Sequence, residues 1–447
     1  MNILAVNGSP KGENSVTLQT IYYLEKLFPD HNFEVLHAGQ RIKALEKDFT
    51  NAEDALNKAD LIIFTYPVYT FIAPYQLHRF IELIKEKGIN LENKFCTQLS
   101  TSKHFYDITA HKYIEENAKD LKMKYIKGLS ADMEDLLNEK GRKEARDFFR
   151  YVNFSIENNL YESSNSLDCD FTPKAVTVFE NNAEKEGDVV IITNCEENDL
   201  RLKNMIVRFQ NKLNRKSRIV NIREYQFKGG CLGCFNCAVS GKCIYKDGFD
   251  EFLRNEIQKG EAMVYAYTIK DHSMGASFKL YDDRQFCNGH RTVTMGMPVG
   301  YLVSGKLSAE QNLKMIMEAR ANVGSNFLAG IASDEFDPDA EIDNLALNLG
   351  YAIENRYVPP QNFLGVGGMK IFRDLIWLMQ GMMKADHKFY KKHGQYDFPQ
   401  KHRGRMMAMY LVGAMLSNEK IKSKMGNKMN EGMIMPYKKE LSKLNRK

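Results

Sequence analysis

Four of the eight cysteines stand within thirteen residues, in the run Cys231-Leu232-Gly233-Cys234-Phe235-Asn236-Cys237-Ala238-Val239-Ser240-Gly241-Lys242-Cys243. The spacing is C-x2-C-x2-C-x5-C. Three thiolates at three-residue intervals wrap one face of a compact inorganic cluster, and the fourth closes the loop. Gly229, Gly230, Gly233 and Gly241 let the backbone bend around it. Runs of this kind hold cubane iron–sulfur clusters, so Cys231, Cys234, Cys237 and Cys243 read first as [4Fe–4S] ligands. Structural zinc more often uses two separated C-x2-C knuckles. Metal-free or redox-active thiols are the third reading. Cys96, Cys169, Cys195 and Cys287 are scattered and read as buried small hydrophobes.

A second set of chemistry-bearing residues lies near the N-terminus. The first strand pattern runs into Asn7-Gly8-Ser9-Pro10-Lys11-Gly12-Glu13-Asn14-Ser15-Val16-Thr17 and then a helix. Hydroxyls and free amides at a helix start make a cradle for a phosphate dianion, with Ser9, Lys11, Asn14, Ser15 and Thr17 as its candidates. The Gly-Lys-Ser/Thr ending of a Walker loop is missing, and the glycine spacing is not that of a dinucleotide fingerprint. Two further loops mix aromatics with hydroxyls: Tyr66-Pro67-Val68-Tyr69-Thr70-Phe71-Ile72-Ala73-Pro74, and Leu99-Ser100-Thr101-Ser102-Lys103-His104-Phe105-Tyr106. Pro67, Val68, Tyr69, Thr70, Phe71, Ser100, Thr101 and Ser102 then suit a flat aromatic ligand with a phosphate tail. His104 reads as a hydrogen-bonded surface group, and no acid–base catalyst stands out.

The elements that must position these loops follow a repeating pattern. Strand candidates at Asn2–Val6, Phe33–His37, Leu61–Thr65, Phe95–Leu99 and Lys124–Leu129 alternate with helical stretches near Ser15–Leu27, Ala52–Asn57, Pro74–Lys85, Ile108–Leu121 and Met133–Asn158. Alternation of this kind means βαβ units and a doubly wound parallel sheet, with ligands beyond the carboxyl ends of the strands. After a polar stretch, Glu162-Ser163-Ser164-Asn165-Ser166, the pattern restarts, with strands expected at Asp188–Thr193, Arg218–Ile222, Ala262–Thr268, Gly300–Ser304 and Asn326–Ser333. Leu61-Ile62-Ile63-Phe64-Thr65-Tyr66 matches Ala262-Met263-Val264-Tyr265-Ala266-Tyr267 without a gap. The chain therefore reads as two copies of one α/β fold, each a five-stranded sheet. The expected division is residues 1–160, a linker over 161–174, a second copy over 175–337, and a helical extension over 338–447.

The phosphate loop and the Pro-Val-Tyr loop, on strand ends at the right separation, resemble those of the flavodoxin-like NAD(P)H-dependent FMN reductases. The resemblance covers most of residues 1–130. It implies that the first loop holds the FMN phosphate, that the Pro-Val-Tyr loop packs along the isoalloxazine, and that a nicotinamide dinucleotide is the hydride donor. The cysteine run, after the second strand of the second copy, is similar to that of the iron–sulfur flavoproteins, in which electrons pass between FMN and a [4Fe–4S] cluster. There the cluster and flavin of neighbouring subunits meet across an interface. The second copy departs from the flavin pattern. It has Thr193-Asn194-Cys195-Glu196-Glu197-Asn198-Asp199 where a phosphate loop belongs, and Thr268-Ile269-Lys270 in place of Pro67-Val68-Tyr69. Each carboxylate there would oppose a phosphate by on the order of 1 kcal/mol. The expectation is one FMN in the first copy facing one cluster in the second. An electron carrier between partner proteins and a cluster-free flavin or quinone reductase are the alternative readings.

Length and composition bound the rest. At about 150 residues per domain, 447 residues make two or three domains. Hydrophobic residues at 43%, charged residues at 27% and a mean hydropathy of −0.44 exclude a disordered chain and an integral membrane protein. No signal peptide is read at Met1-Asn2-Ile3-Leu4, and the location expected is cytoplasmic. Residues 366–447 carry 18 Lys+Arg against 6 Asp+Glu and 12 of the 22 methionines. Three readings fit this tail: a helix packing its apolar stripe on the domains or across a homodimer, an interfacial membrane helix, and a docking face for an acidic ferredoxin-like partner. Nucleic acid is not expected, because aromatics are not interleaved with the charge.

Overall fold

The computed structural model describes residues 1–162, 171–398 and 402–417; Cys169 and most of the polar stretch after Glu162 lie outside them. Residues Met1–Phe389 form one compact unit and Tyr390–Lys447 a second. Eleven strands are present among the described residues: β1 Asn2–Asn7, β2 Asn32–Leu36, β3 Leu61–Pro67, β4 Phe95–Ser102, β5 Lys124–Tyr125, β6 Leu129–Asp132, β7 Val189–Thr193, β8 Ser217–Asn221, β9 Ala262–Thr268, β10 Val299–Ser304 and β11 Leu328–Ser333. The helices of the first half are α1 Val16–Leu27, α2 Ala38–Leu45, α3 Thr50–Lys58, α4 Tyr75–Glu86, α5 Asp107–Asp120 and α6 Glu139–Glu157. Those of the second half are α7 Leu200–Lys212, α8 Asn236–Ser240, α9 Phe249–Phe252, α10 Gly275–Arg284, α11 Gln311–Val323 and α12 Pro338–Asn355. They are followed by α13 Phe363–Leu378, α14 Lys384–Lys392 and α15 Arg403–Leu416.

Both sheets are parallel. The first runs β2-β1-β3-β4-β5, with β6 also on β4; the second runs β11-β10-β9-β7-β8. Counted within each half, the order is 2-1-3-4-5 both times, the doubly wound flavodoxin-like order. Continuous apolar runs such as Leu61–Tyr66 and Val189–Thr193 are buried along their whole length, as a sheet covered on both faces requires. One expectation is corrected. The fifth strand of the first sheet, read as Lys124–Leu129, is broken into β5 and β6, so that sheet has six strands rather than five. The break falls at Ile126–Gly128, where the missing side chain of Gly128 leaves room for Gln98 to press against the backbone. Sequence patterning also missed α2.

The two halves meet through equivalent elements. Helix α4 packs on α10, and α11 packs on α5. Residues 201 apart exchange the same contact. The Tyr75 amide donates to Asp283 Oδ2 at 2.7 Å, and the Ala276 amide donates to Glu82 Oε1 at 2.7 Å. Each carboxylate thus caps the first turn of the opposite helix, satisfying an amide that the helix itself leaves free. The hydrophobic core of the first half takes in Ile316, Ala319 and Val323 from α11. Helix α12 packs on β11 and α7, extending the helical cover of the second sheet beyond Asp337. Leu364, Met369 and Phe372 of α13 pack against the first core. No helix among the described residues is long and apolar enough to cross a membrane. In the second unit, α15 exposes Met406, Met407 and Met409.

Candidate functional site

Strand β1 delivers the chain into a tight loop closed by the 3-10 turn Gly12–Asn14. The Asn7 side chain anchors it, accepting from the Ser9 amide at 3.1 Å and donating to Gly12 O at 3.0 Å. Ser9, Ser15 and Thr17 are buried, while Asn14 is exposed. Ser15 is the N-cap of α1, and its hydroxyl accepts from the Leu18 amide at 3.5 Å. That bond is long enough to yield to a better anion. Thr17 Oγ1 lies 2.6 Å from Thr101 Oγ1, tying this loop to the one after β4. The Val68 amide donates to Thr101 O at 3.2 Å, so the loop after β3 joins the same cluster. Ser100 is turned elsewhere: its hydroxyl meets His111 Nε2 at 2.8 Å beneath the loops. Burial holds that imidazole down at about 4. His104 is exposed and pairs with Asp107 at 2.9 Å.

The loop after β3 ends in a two-residue turn, Tyr69–Ile72, closed in both directions between these residues. Its central residues Thr70 and Phe71 have φ of 45° and 74°, a conformation that normally selects Asn and Gly. Each such residue stores on the order of 1–3 kcal/mol. The second half holds the strain in place. Lys279, fully buried on α10, donates to Tyr69 O at 3.2 Å and to the Thr70 hydroxyl, Asp282 and Asp283. Arg320 of α11 reaches Thr70 O and both oxygens of Asp282 at 2.8 Å, and lies over the Phe71 ring. Burial pushes the Asp283 carboxyl up, whereas Arg320 and Lys279 outweigh burial at Asp282 and hold it down. Phe71 packs on Phe105 and Tyr106, and Phe105 stacks on Phe372 of α13.

The cysteine run sits directly against these loops. Gly233, at φ 59°, has no room for a side chain: a Cβ there would overlap the Tyr69 hydroxyl and lie 3.3 Å from Lys11 Cε. Gln76 Nε2 donates to Cys231 O at 3.3 Å, and Lys11 Nζ lies 5.5 Å from the Phe235 ring centre. Burial lowers the Lys11 ammonium, and the Cys231 and Cys234 sulfurs pull it back up. Burial likewise pushes the Tyr69 phenol well up, with Cys231 adding to it.

Both ends of the run are pinned by one buried guanidinium. Arg284 donates to Gly229 O at 2.8 Å before the run and to both Asp247 oxygens at 2.8 Å after it. It lies 4.5 Å over Tyr245 and 5.0 Å over Phe249, with Cys243 Sγ at 3.9 Å. None of the four is in a disulfide among the described residues; Cys234 is exposed and the others are half-buried. Burial pushes the Cys231 thiol well up and that of Cys237 up to about 11. Thiols of this kind stay protonated near neutrality, which makes them poor free nucleophiles; ionising them is work that a bound metal does. Among the described residues, no three of these cysteines bring their sulfurs within 4.8 Å of one another. A tetrahedral zinc would draw them to about 3.8 Å, given Zn–S bonds of about 2.3 Å. Lys11 and Arg284 flank this donor set, which would suit an anionic metal cluster through its four thiols.

The corresponding loop of the second half is closed to an anion by its own carboxylate. Asp199 caps α7, accepting from the Leu202 amide at 3.2 Å and from Thr268 Oγ1 at 2.6 Å. Cys96, Cys195 and Cys287 are buried, as expected. Sequence reasoning missed Lys279, Asp282, Asp283, Arg284 and Arg320. For all but Arg320 the visible signal was the run Lys279-Leu280-Tyr281-Asp282-Asp283-Arg284, whose i, i+3 and i+4 charges share one face of α10.

Residues 1–133 match the family model described as a flavodoxin-like fold. No curated protein matches the chain. Among solved structures, an NADH:FMN oxidoreductase in apo form is 18% identical, covering 37% of this chain and 92% of its own, with a TM-score of 0.31. FerB, a flavoenzyme NAD(P)H:acceptor oxidoreductase from Paracoccus denitrificans, is 16% identical, covering 35% and 95%, with a TM-score of 0.29. General stress protein 14 from Treponema denticola, solved in complex with FMN, is 12% identical, covering 34% and 98%, with a TM-score of 0.28.

Proposed function

We propose that this chain is a cytoplasmic FMN-dependent oxidoreductase that passes electrons between NAD(P)H and an acceptor, with FMN in the loops of the first half and a [4Fe–4S] cluster on the cysteine run of the second. The observation that carries this reading is the seating of Gly233 on the Tyr69 hydroxyl, with Lys11 reaching from the phosphate loop toward Cys231 and Cys234. Two elements that the sequence separates by about 160 residues thereby become one site. The buried hydroxyls of Ser9, Ser15 and Thr17 with the Lys11 ammonium make the phosphate end, and Pro67–Tyr69 with Thr101 and Ser102 flank the ring end, while Thr70 and Phe71 turn toward Lys279 and Arg320. FMN, when bound, supplies the exchange between a hydride and single electrons, and the cluster carries electrons singly. The chain's own residues position and tune. Lys279 and Arg320 fix the strained Tyr69–Ile72 turn, Tyr69 excludes water between the loop and the cysteine run, and Lys11 and Arg284 offset the charge of ionised thiolates. Asp199 at the start of α7 supports a single flavin per chain, because a second phosphate would meet a carboxylate already in its place.

The test is anoxic rapid mixing of the full chain with NADH or NADPH. The expected result is bleaching of flavin absorbance within the mixing experiment, followed by the slower bleaching of a broad iron–sulfur band. Reduction by dithionite or reduced ferredoxin alone would overturn the enzyme reading in favour of a carrier.

A further inference from the structure

The two halves place equivalent residues in equivalent corners, yet the chemistry of the two corners has diverged. In the first half the turn residue Phe71 packs on Tyr106, the N-cap of α5, and Arg320, the tenth residue of α11, lies over Phe71. In the second half the turn is Lys270–Ser273, with Asp271 and His272 at φ 51° and 59°. His272 therefore stands where Phe71 stands. Glu310, the N-cap of α11, replaces Tyr106, and Glu116, the tenth residue of α5, replaces Arg320. An aromatic corner closed by a cation has become an imidazole facing two carboxylates.

The distances in this corner serve a hydrogen-bonded imidazole and leave room for three ligands around one centre. His272 Nδ1 lies 3.1 and 3.2 Å from the two Glu310 oxygens. Ligand atoms of Glu116, His272 and Glu310 all fall within 4.8 Å of one another. Glu116 Oε2 is screened from solvent and has no hydrogen-bond partner among the described residues, and Glu310 is only 8% exposed. Lys85 serves the outer pair, at 2.7 Å from Asp120 and 2.8 Å from Asp271. The other imidazole nitrogen, Nε2, lies 3.0 Å from Asp120 Oδ2. That is the carboxylate–histidine arrangement that orients a metal-bound imidazole.

We propose that Glu116, His272 and Glu310 form a binding site for a divalent first-row cation such as Mn²⁺ or Zn²⁺, with Asp120 positioning the imidazole. One nitrogen and two carboxylates suit these ions, and the ligands come from both halves. The bound cation pins α5 to the turn before α10.

The test uses Mn²⁺, whose affinity for carboxylate and imidazole ligands separates it from the soft thiols of the cysteine run. The full chain, stripped with chelator, is titrated with Mn²⁺ and followed by electron paramagnetic resonance and by thermal unfolding. One saturable site per chain is expected, with a rise in Tm on binding. Glu116→Gln and Glu310→Gln should each weaken binding by at least about tenfold, and Asp120→Asn by about tenfold through the imidazole. His272→Phe, which installs the residue already accommodated at the equivalent turn, should abolish the site while leaving the circular dichroism unchanged. Equal Mn²⁺ binding by the parent and by His272→Phe, or no binding by either, would overturn the proposal and leave His272 as an imidazolium clamped between Asp120 and Glu310.

Discussion

Lys279→Met is expected to destabilise the protein by about 3–5 kcal/mol, the cost of stripping one partner from a buried ion network. Lys279 is inaccessible to solvent, as is Asp283, and Asp282 is nearly so. With the ammonium gone, Arg320 is the remaining cation on two buried carboxylates, and it bonds Asp282 rather than Asp283. Asp283 would then keep its bonds from the Tyr75 amide and the Thr70 hydroxyl with no charge to balance it. The Tyr69–Ile72 turn would also lose the donor that holds Tyr69 O and the Thr70 hydroxyl. Urea unfolding of the full chain measures the loss. Adding Asp283→Asn removes the unbalanced charge while keeping an acceptor for Tyr75, so the double variant should recover about 1–2 kcal/mol. A cost below about 1 kcal/mol for Lys279→Met would mean that the ammonium reaches water and that the two halves are not locked through it.

The second large effect is expected at Gly233. Placing alanine there forces a left-handed residue to carry a Cβ, at about 1–2 kcal/mol, and drives that carbon into the Tyr69 hydroxyl. Overpacking of this kind adds about 1–3 kcal/mol, so Gly233→Ala should cost about 2–5 kcal/mol in total. Tyr69→Phe in the same chain removes the overlapping oxygen but leaves the ring carbon beneath it at 2.9 Å, so relief is partial. The double-mutant cycle should return a coupling of about 1 kcal/mol. Additive effects would show that the cysteine run and the flavin-type loop do not touch.

Much of this arrangement is legible in the sequence. Buried parallel strands announce themselves as short apolar runs, and β3 and β9 fall where Leu61–Tyr66 and Ala262–Tyr267 match. The cysteine run and the Ser9–Thr17 loop are recognisable because their chemistry depends on local spacing. What local pattern does not reveal is contact between residues from about 30 to about 210 positions apart. Lys279 looks like an exposed helix lysine until Tyr69 and Thr70 are packed on it. Arg284 has no evident purpose until Gly229 and Asp247 are brought to either side. The break between β5 and β6 also depends on a non-local contact, the approach of Gln98 to Gly128.

The central claim is that one chain joins a single flavin loop set to a single four-cysteine cluster site. Its most direct test is the content of iron, acid-labile sulfide and flavin in full-length protein prepared without oxygen, with an absorption spectrum of the same sample. The account predicts about four irons, four sulfides and one FMN per chain. One FMN with no iron after reconstitution, or two FMN per chain, would contradict it.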